Sequence, residues 1–189
     1  MSMAIEKFTF VPLKADTDIK PFKCKDKDLN GFLMDDAKKY LIDMMATTYL
    51  VEDKGEWKTV AYFSLLNDRI SYDPSNHPIW NRLNRLVSNP KRRKHYPAVK
   101  IGRLAVSEEY RGMGLGSDII RLIKYMLTTE SIAGCRFITV DAYPQAVGFY
   151  NKCGFKYFSG DERQDRTISL YYDLKRFLDE PVRTHTPIK

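Results

Sequence analysis

The sequence predicts an α/β fold built around two neighbouring parallel strands, and three stretches carry this prediction. A strand-like run of apolar and β-branched residues covers 99–106, and residues 117–127 place apolar side chains at helical spacing. A second, nearly continuous run covers 135–141, which is typical of a strand covered on both faces. A strand, a helix and a strand in this order predict a βαβ crossover with parallel strands.

The segment before residue 70 predicts a strand, an amphipathic helix and a hairpin. Residues 8–13 are strand-like, and apolar residues recur every three or four positions across 29–44, so one helical face is expected to be buried. Asp26 or Asp28 could cap this helix, because a short carboxylate accepts bonds from free N–H groups. The predicted hairpin consists of strands 48–51 and 59–66 and the turn 53–56, which contains a glycine.

The rest of the chain predicts a less regular segment followed by the end of the sheet. From Ile70 to Pro97 no alternation is sustained, and we expect at most one short helix, near residues 80–87. Later elements are a helix between Pro144 and Gly154 and two strands, 155–158 and 167–174. We expect one domain over residues 1–178 and a frayed tail over 179–189.

Composition and charge narrow the class of protein. The chain has 189 residues, of which 43% are hydrophobic and 29% charged, as in ordinary globular proteins. Without an apolar run of ~20 residues or a signal-peptide core, a cytoplasmic location is expected. The three cysteines show neither a disulfide framework nor metal-ligand spacing. The net charge of +7 favours polyanionic partners, but charge alone does not distinguish a basic cofactor groove from a surface that binds nucleic acid.

A glycine-rich turn joins the strand 99–106 to the following helix. Glycines let backbone N–H groups approach a ligand, and the first turn of a helix adds unpaired N–H groups and a partial positive charge. This pattern predicts an anion site, most simply for phosphate. Its residues are Arg111, Gly112, Met113, Gly114, Leu115, Gly116 and Ser117.

Two common phosphate motifs do not fit this turn. The P-loop pattern G-x-x-x-x-G-K-[ST] is absent, which removes support for a Walker-type nucleotide site. A Rossmann fingerprint led by Gly112 and Gly114 would need Gly or Ala at position 117, where Ser117 stands. The spacing that fits is Arg-x-x-Gly-x-Gly, from Arg111 to Gly116.

This spacing resembles the coenzyme A pyrophosphate loop of the GNAT (Gcn5-related N-acetyltransferase) superfamily. As in that family, a Leu-Ala-Val run precedes the loop, here Leu104, Ala105 and Val106, and the segment 149–155 ends in Gly-Phe after a second strand. The resemblance covers about residues 8–174. It implies a single-domain GNAT fold, with a mixed central β-sheet, helices on both faces and a splayed pair of central parallel strands.

The resemblance implies an N-acetyltransferase that uses acetyl-CoA as co-substrate and needs no metal. The main chain at Leu104–Val106 would bind pantetheine amides, and the loop 111–117 the pyrophosphate. Tyr150 would protonate the departing thiolate, since the phenol pKa of ~10 suits that leaving group. Many family members carry Asn where this chain has Tyr143, so aromatic packing against coenzyme A is expected there instead. The general base stays open among Glu108, Glu109, Asp141 and a water chain.

The acceptor amine is less constrained. Residues 22–33 and the strands after them resemble the GNAT branch of aminoacyl-tRNA-acetylating toxins, which are neutralised by a small antitoxin. The alternatives are a polyamine, an antibiotic, a protein N-terminus, or a non-catalytic coenzyme A-binding or sensor module. A homodimer is a further candidate assembly. The basic run Lys91, Arg92, Arg93, Lys94 and His95 could contact tRNA, assist coenzyme A phosphates, or form a solvated loop.

Overall fold

The computed structural model describes residues 7–74, 77–88, 93–130, 133–158 and 166–179. In these ranges seven strands form one mixed sheet, in the order β1-β2-β3-β4-β5-β7-β6. The strands are β1 (Phe8–Pro12), β2 (Thr47–Asp53), β3 (Thr59–Ser71), β4 (His95–Val106), β5 (Phe137–Ala142), β6 (Lys156–Tyr157) and β7 (Ile168–Asp173). The helices are α1 (Lys27–Gly31), α2 (Ala37–Ile42), α3 (His77–Arg85), α4 (Leu115–Tyr125), α5 (Val147–Lys152) and α6 (Lys175–Asp179).

The chain divides into two compact units. Among the described residues, the first comprises 7–66 and 101–126, and the second comprises 67–74, 77–88, 93–100, 127–130, 133–158 and 166–179. The predicted α/β class is confirmed, and β4 and β5 form the predicted pair of neighbouring parallel strands. The single domain over residues 1–178 stays a prediction, and the predicted tail lies outside the described residues except for Asp179.

The first unit contains the predicted hairpin and the N-terminal helix. β2 pairs antiparallel with both β1 and β3, which confirms the strand and the hairpin. Asp26 caps α1, because its carboxylate accepts the N–H groups of Asp28 at 2.9 Å and Leu29 at 3.3 Å. A core cluster joins this helical segment to the sheet through Leu33, Leu50, Tyr62, Ala105 and neighbouring apolar residues.

The second unit contains the predicted parallel pair. β4 pairs parallel with β5 from Ala98 opposite Phe137 to Lys100 opposite Thr139, and β5 then pairs antiparallel with β7. The helix α3 covers this part of the sheet, because Trp80 and Leu83 pack into a cluster with Tyr96 and Phe137.

Several boundaries differ from the predicted ones. The predicted helix over 29–44 is interrupted by a π-helical turn at Phe32–Asp36 between α1 and α2. β4 begins at His95, four residues earlier than expected, although Pro97 lies within it. α6 was not predicted from the sequence. Such boundaries depend on pairing and packing with distant residues, so the local periodicity of the sequence does not predict them.

Candidate active site

The glycine loop bends where two glycines adopt positive φ. Gly112 has φ of 78° and Gly114 has φ of 87°, a region that L-residues with a side chain rarely occupy. Among the described residues, no atom lies within 4 Å of a Cβ added at either position. The glycines are therefore required by the backbone conformation, and the space above them is open to a ligand.

Helix α4 begins directly after Gly114 and presents its first turn to the loop. The carbonyl of Gly114 accepts the N–H groups of Ser117 at 2.9 Å and Asp118 at 3.1 Å. The N–H groups of the first helical residues have no partner inside a helix, so those of Leu115 and Gly116 suit an anion. This arrangement can hold a phosphate with backbone donors and the positive end of the helix dipole.

Exposure separates the loop residues that can contact a ligand through side chains from those that cannot. Arg111, Met113 and Ser117 are exposed. Leu115 is buried, with only 2% of its surface accessible, so its side chain belongs to the core and only its main chain is available. Its predicted role in cofactor binding is therefore limited to the N–H group.

The predicted pantetheine strand lies at the end of β4. Ala105 is buried in the core cluster of the first unit, whereas Leu104 and Val106 are half-buried. The side chain of Ala105 fixes the strand against the core, which leaves the main chain as the part that a ligand could pair with.

A cleft of about 390 Å³ lies beside the loop. It is lined by Lys7, Phe8, Glu56, Lys58, Glu109, Tyr110, Met113 and Leu115. Lys7 and Lys58 face it, but each ammonium is already paired with carboxylates: Lys7 with Asp53, and Lys58 with Glu56 and Glu109. Paired ammonium groups attract a phosphate weakly, so this cleft is a poorer anion site than the open loop.

The candidate tyrosines both lie in the second unit. Tyr150, on α5, is 6% exposed, and its ring makes edge contacts with Phe149 at 5.0 Å and Phe155 at 5.4 Å. Burial raises the pKa of Tyr150 above its ordinary value, because ionising the phenol there would leave a charge in an apolar environment. Tyr143 is 40% exposed and precedes the turn that leads into α5.

Two of the candidate general bases are ion-paired. The Glu109 carboxylate lies 2.5 Å from the Lys58 ammonium. Burial would raise the pKa of Asp141, but hydrogen bonds from Lys100 at 2.5 Å and Ser169 at 2.8 Å outweigh it, so the pKa lies below its usual range. The lowered pKa makes Asp141 a poor proton acceptor, and the Glu109 carboxylate is held by Lys58, which leaves the exposed Glu108 and water as the better candidates.

The second unit also contains a basic segment that sequence reasoning identified only in part. Residues 74–100 contain seven lysines and arginines and no acidic residue, while the net charge of the whole chain is +7. Arg93 and Lys94 are exposed, whereas the predicted contacts Lys91 and Arg92 lie outside the described residues. Arg82 and Arg85 on α3 are also exposed and were missed, although the absence of acidic residues over this range would have indicated them.

Within the described ranges, no group of three or more His, Cys, Asp or Glu side chains is arranged to hold a metal ion. Across the same part of the chain, no helix has the length and apolarity needed to cross a membrane.

Comparison with known proteins finds a matching family profile and several solved structures with a similar fold. The acetyltransferase (GNAT) domain profile matches residues 46–172, which include the loop and both tyrosines. A structure of AtaT with acetyl-methionyl-tRNA is similar at a TM-score of 0.72 and 21% identity, covering 90% of this chain and 97% of that one. A variant of the toxin AtaT bound to acetyl-CoA and the C-terminus of the antitoxin AtaR is similar at a TM-score of 0.71 and 19% identity. The match covers 93% of this chain and 99% of that one. A variant of KacT is similar at a TM-score of 0.68 and 20% identity, and the match covers 92% of this chain and 98% of that one.

Proposed function

Because the chain belongs to the GNAT acetyltransferase family and is an N-acetyltransferase that uses acetyl-CoA, we propose that its acceptor is the α-amine of aminoacyl-tRNA. The observation that supports this acceptor is the basic segment 74–100. Its charge of +7 equals the net charge of the whole chain. A polyanion gains from such a surface by releasing its counterions. A solved neighbour, AtaT, has been captured with acetyl-methionyl-tRNA.

In this proposal the glycine loop, the end of β4 and Tyr143 bind the cofactor. The N–H groups of the loop 112–116 bind the pyrophosphate, and Arg111 and Ser117 add side-chain donors. The main chain at Leu104–Val106 pairs with the pantetheine amides, and Tyr143 packs against coenzyme A. Support comes from the positive φ of Gly112 and Gly114, from the open space above them, and from the exposure of Arg111 and Ser117.

The chemistry is a direct transfer. The neutral α-amine attacks the thioester carbonyl and forms a C–N bond, and the resulting tetrahedral intermediate collapses by breaking the C–S bond. Glu108 or water takes the proton that the amine loses, and Tyr150 gives its proton to the departing thiolate. The raised pKa of Tyr150 keeps the phenol protonated until a strong base forms beside it. Orientation of the two reactants supplies much of the acceleration.

The partners of this enzyme follow from the same proposal. Arg93 and Lys94, with Arg82 and Arg85 on α3, contact tRNA phosphates, and the predicted contacts Lys91 and Arg92 belong to the same run. A small antitoxin protein binds the enzyme, as AtaR binds AtaT, and a second copy of the chain is a candidate partner. Use of charged tRNA places the reaction in the cytoplasm. Growth arrest on expression, relieved by a short adjacent reading frame, would support the antitoxin, whereas normal growth would contradict a toxin.

An acceptor screen tests the proposal. The protein is incubated with labelled acetyl-CoA and, separately, with aminoacyl-tRNA, uncharged tRNA, a polyamine, an aminoglycoside and a peptide. We expect the label to accumulate fastest on aminoacyl-tRNA. Faster labelling of a small amine or a peptide would overturn the tRNA acceptor and leave the transferase assignment in place. Labelling of uncharged tRNA would contradict transfer to an amino-acid amine.

A further inference from the structure

Three residues that lead into the glycine loop are tied to the N-terminal half of the first unit. The N–H of Ser107 donates to the carbonyl of Val60 at 2.8 Å, and the N–H of Glu108 donates to the carbonyl of Lys23 at 3.2 Å. The Glu109 carboxylate pairs with the ammonium of Lys58. The backbone is therefore fixed before the loop begins.

Tyr110 ends this tied segment, directly before Arg111. Its hydroxyl donates to the Asp53 carboxylate at 2.8 Å. Its ring makes an edge contact with Phe8 at 5.6 Å, and the Lys58 ammonium lies 5.3 Å from the ring centroid. The side chain is held at both its apolar and its polar end.

Asp53 is the acceptor on which this contact depends. Its side chain is fully buried at the end of β2, where it also accepts the N–H of Gly55 at 2.8 Å and pairs with Lys7 at 2.8 Å. Burial would raise the pKa of Asp53, but the bonds from Lys7, Gly55 and Tyr110 outweigh it and lower the pKa to about 2. The carboxylate is ionised at neutral pH, so the bond from Tyr110 is charge-assisted.

The loop itself has little support beyond its two ends. From Arg111 to Gly114 the chain is exposed, and no atom of the part of the chain that the structure describes lies within 4 Å of a Cβ placed on Gly112 or Gly114. At the far end, α4 fixes the chain through the buried Leu115 and Ile119. The direction of the loop N–H groups therefore depends on α4 at one end and on Tyr110 at the other.

We propose that Asp53 is a positioning residue for cofactor binding, which acts through Tyr110 to hold the pyrophosphate loop in its binding conformation. This inference rests on the phosphate role proposed for the loop. A loop that is held in advance loses less conformational freedom when the ligand binds, so its affinity is higher. Asp53 lies 58 positions before Arg111 in sequence, and no motif connects the two.

The test compares Tyr110→Phe and Asp53→Asn with the wild-type protein. Calorimetry measures the Kd for acetyl-CoA, and steady-state kinetics separate kcat from KM. We expect each variant to raise the Kd and the KM by roughly tenfold, the factor that one charge-assisted hydrogen bond carries, while kcat at saturating acetyl-CoA stays unchanged. Because both changes weaken the contact between Tyr110 and Asp53, the loss in the double variant should be smaller than the sum of the two single losses.

A second substrate separates positioning from a general loss of structure. S-acetyl-pantetheine carries the thioester and lacks the diphosphate, so its kcat/KM should be equal in Tyr110→Phe and the wild type. Tyr40→Phe, on α2, and Asp16→Asn serve as matched controls, since both side chains are exposed. Neither control should change the Kd for acetyl-CoA.

Three outcomes would overturn the proposal. An unchanged Kd in Tyr110→Phe would show that the contact does not support the loop. Equal losses with acetyl-CoA and S-acetyl-pantetheine would show a structural role only. A wild-type protein that does not bind acetyl-CoA would remove the phosphate role of the loop itself, a failure that is distinguishable because it appears without any substitution.

Discussion

At the scale of single residues, the environment of Tyr150 decides its chemistry. A phenol buried among Phe149 and Phe155 loses the stabilisation that water gives to its ionised form, and the pKa therefore rises. A neutral phenol in this position can donate a proton to a thiolate but does not itself act as a base at neutral pH.

Replacing Tyr150 with phenylalanine tests the acid role. The ring contacts are kept and the proton donor is lost, so we expect kcat to fall by about 100-fold or more while the Kd for acetyl-CoA stays unchanged. Steady-state kinetics and calorimetry measure the two quantities. Tyr157→Phe, on the edge strand β6, is the control. In the wild type, burial raises the pKa of Tyr150. The fall in kcat caused by ionisation of Tyr150 should therefore begin only at a pH above ~10, the ordinary pKa of a phenol. Unchanged turnover in Tyr150→Phe would remove this residue from the chemistry.

Gly114 offers a second test at the same scale. A glutamate there would take a positive φ and project a carboxylate into the open space above the loop, where the phosphates are expected. We expect Gly114→Glu to abolish acetyl-CoA binding in calorimetry. Gly134→Glu controls for the added charge, because Gly134 also has open space around its Cβ position and lies outside the loop. Normal binding by Gly114→Glu would refute the loop assignment.

At the scale of elements, the two strands and the helix around the loop were predicted because their apolar periodicity is local. The sequence does not predict the start of β4, because a proline such as Pro97 is unfavourable inside a strand. In the structure, Tyr96 and Ala98 are buried in a cluster with Trp80 and Phe137. The π-helical turn at Phe32–Asp36 was missed because a change of helical hydrogen bonding leaves little trace in composition. Long-range packing therefore accounts for the start of β4.

The candidate site shows the same division between local and distant information. The glycine spacing indicated Gly112 and Gly114 directly, since positive φ strongly favours glycine. Asp53 could not have been predicted, because its partner Tyr110 lies 57 positions away and neither residue belongs to a motif. The ion pair of Asp141 with Lys100 also depends on two neighbouring strands, so the sequence alone left Asp141 open as a base.

Charge reversal on the basic segment tests its proposed role. We expect the double variant Arg93→Glu, Lys94→Glu to raise the KM for aminoacyl-tRNA and to reduce the slope of log affinity against log salt by about one to two, one for each lost phosphate contact. Affinity for acetyl-CoA should not change. The charge-matched control is Lys14→Glu, Lys25→Glu, at two exposed positions of the first unit. Equal effects of the two double variants would mean that net charge acts alone and that this segment is not the contact surface.

At the scale of the whole molecule, the prediction of one domain over residues 1–178 concerns cooperativity. We expect a single unfolding transition in scanning calorimetry, which acetyl-CoA shifts upward as a whole. At 100 times its Kd, a ligand that binds only the native state adds about 2.7 kcal/mol to the free energy of unfolding. Two transitions, of which acetyl-CoA shifts only one, would contradict the single domain. Gly114→Glu should unfold without any shift.

The most direct measurement is the mass of the amino acid released from tRNA after incubation with the protein and acetyl-CoA. Mild base frees the amino acid from charged tRNA, and mass spectrometry then reports whether its α-amine carries an acetyl group. We expect the N-acetyl amino acid with the wild-type protein, and its loss with Gly114→Glu. An unmodified amino acid from tRNA, under conditions in which the same protein acetylates another amine, would contradict the proposed acceptor.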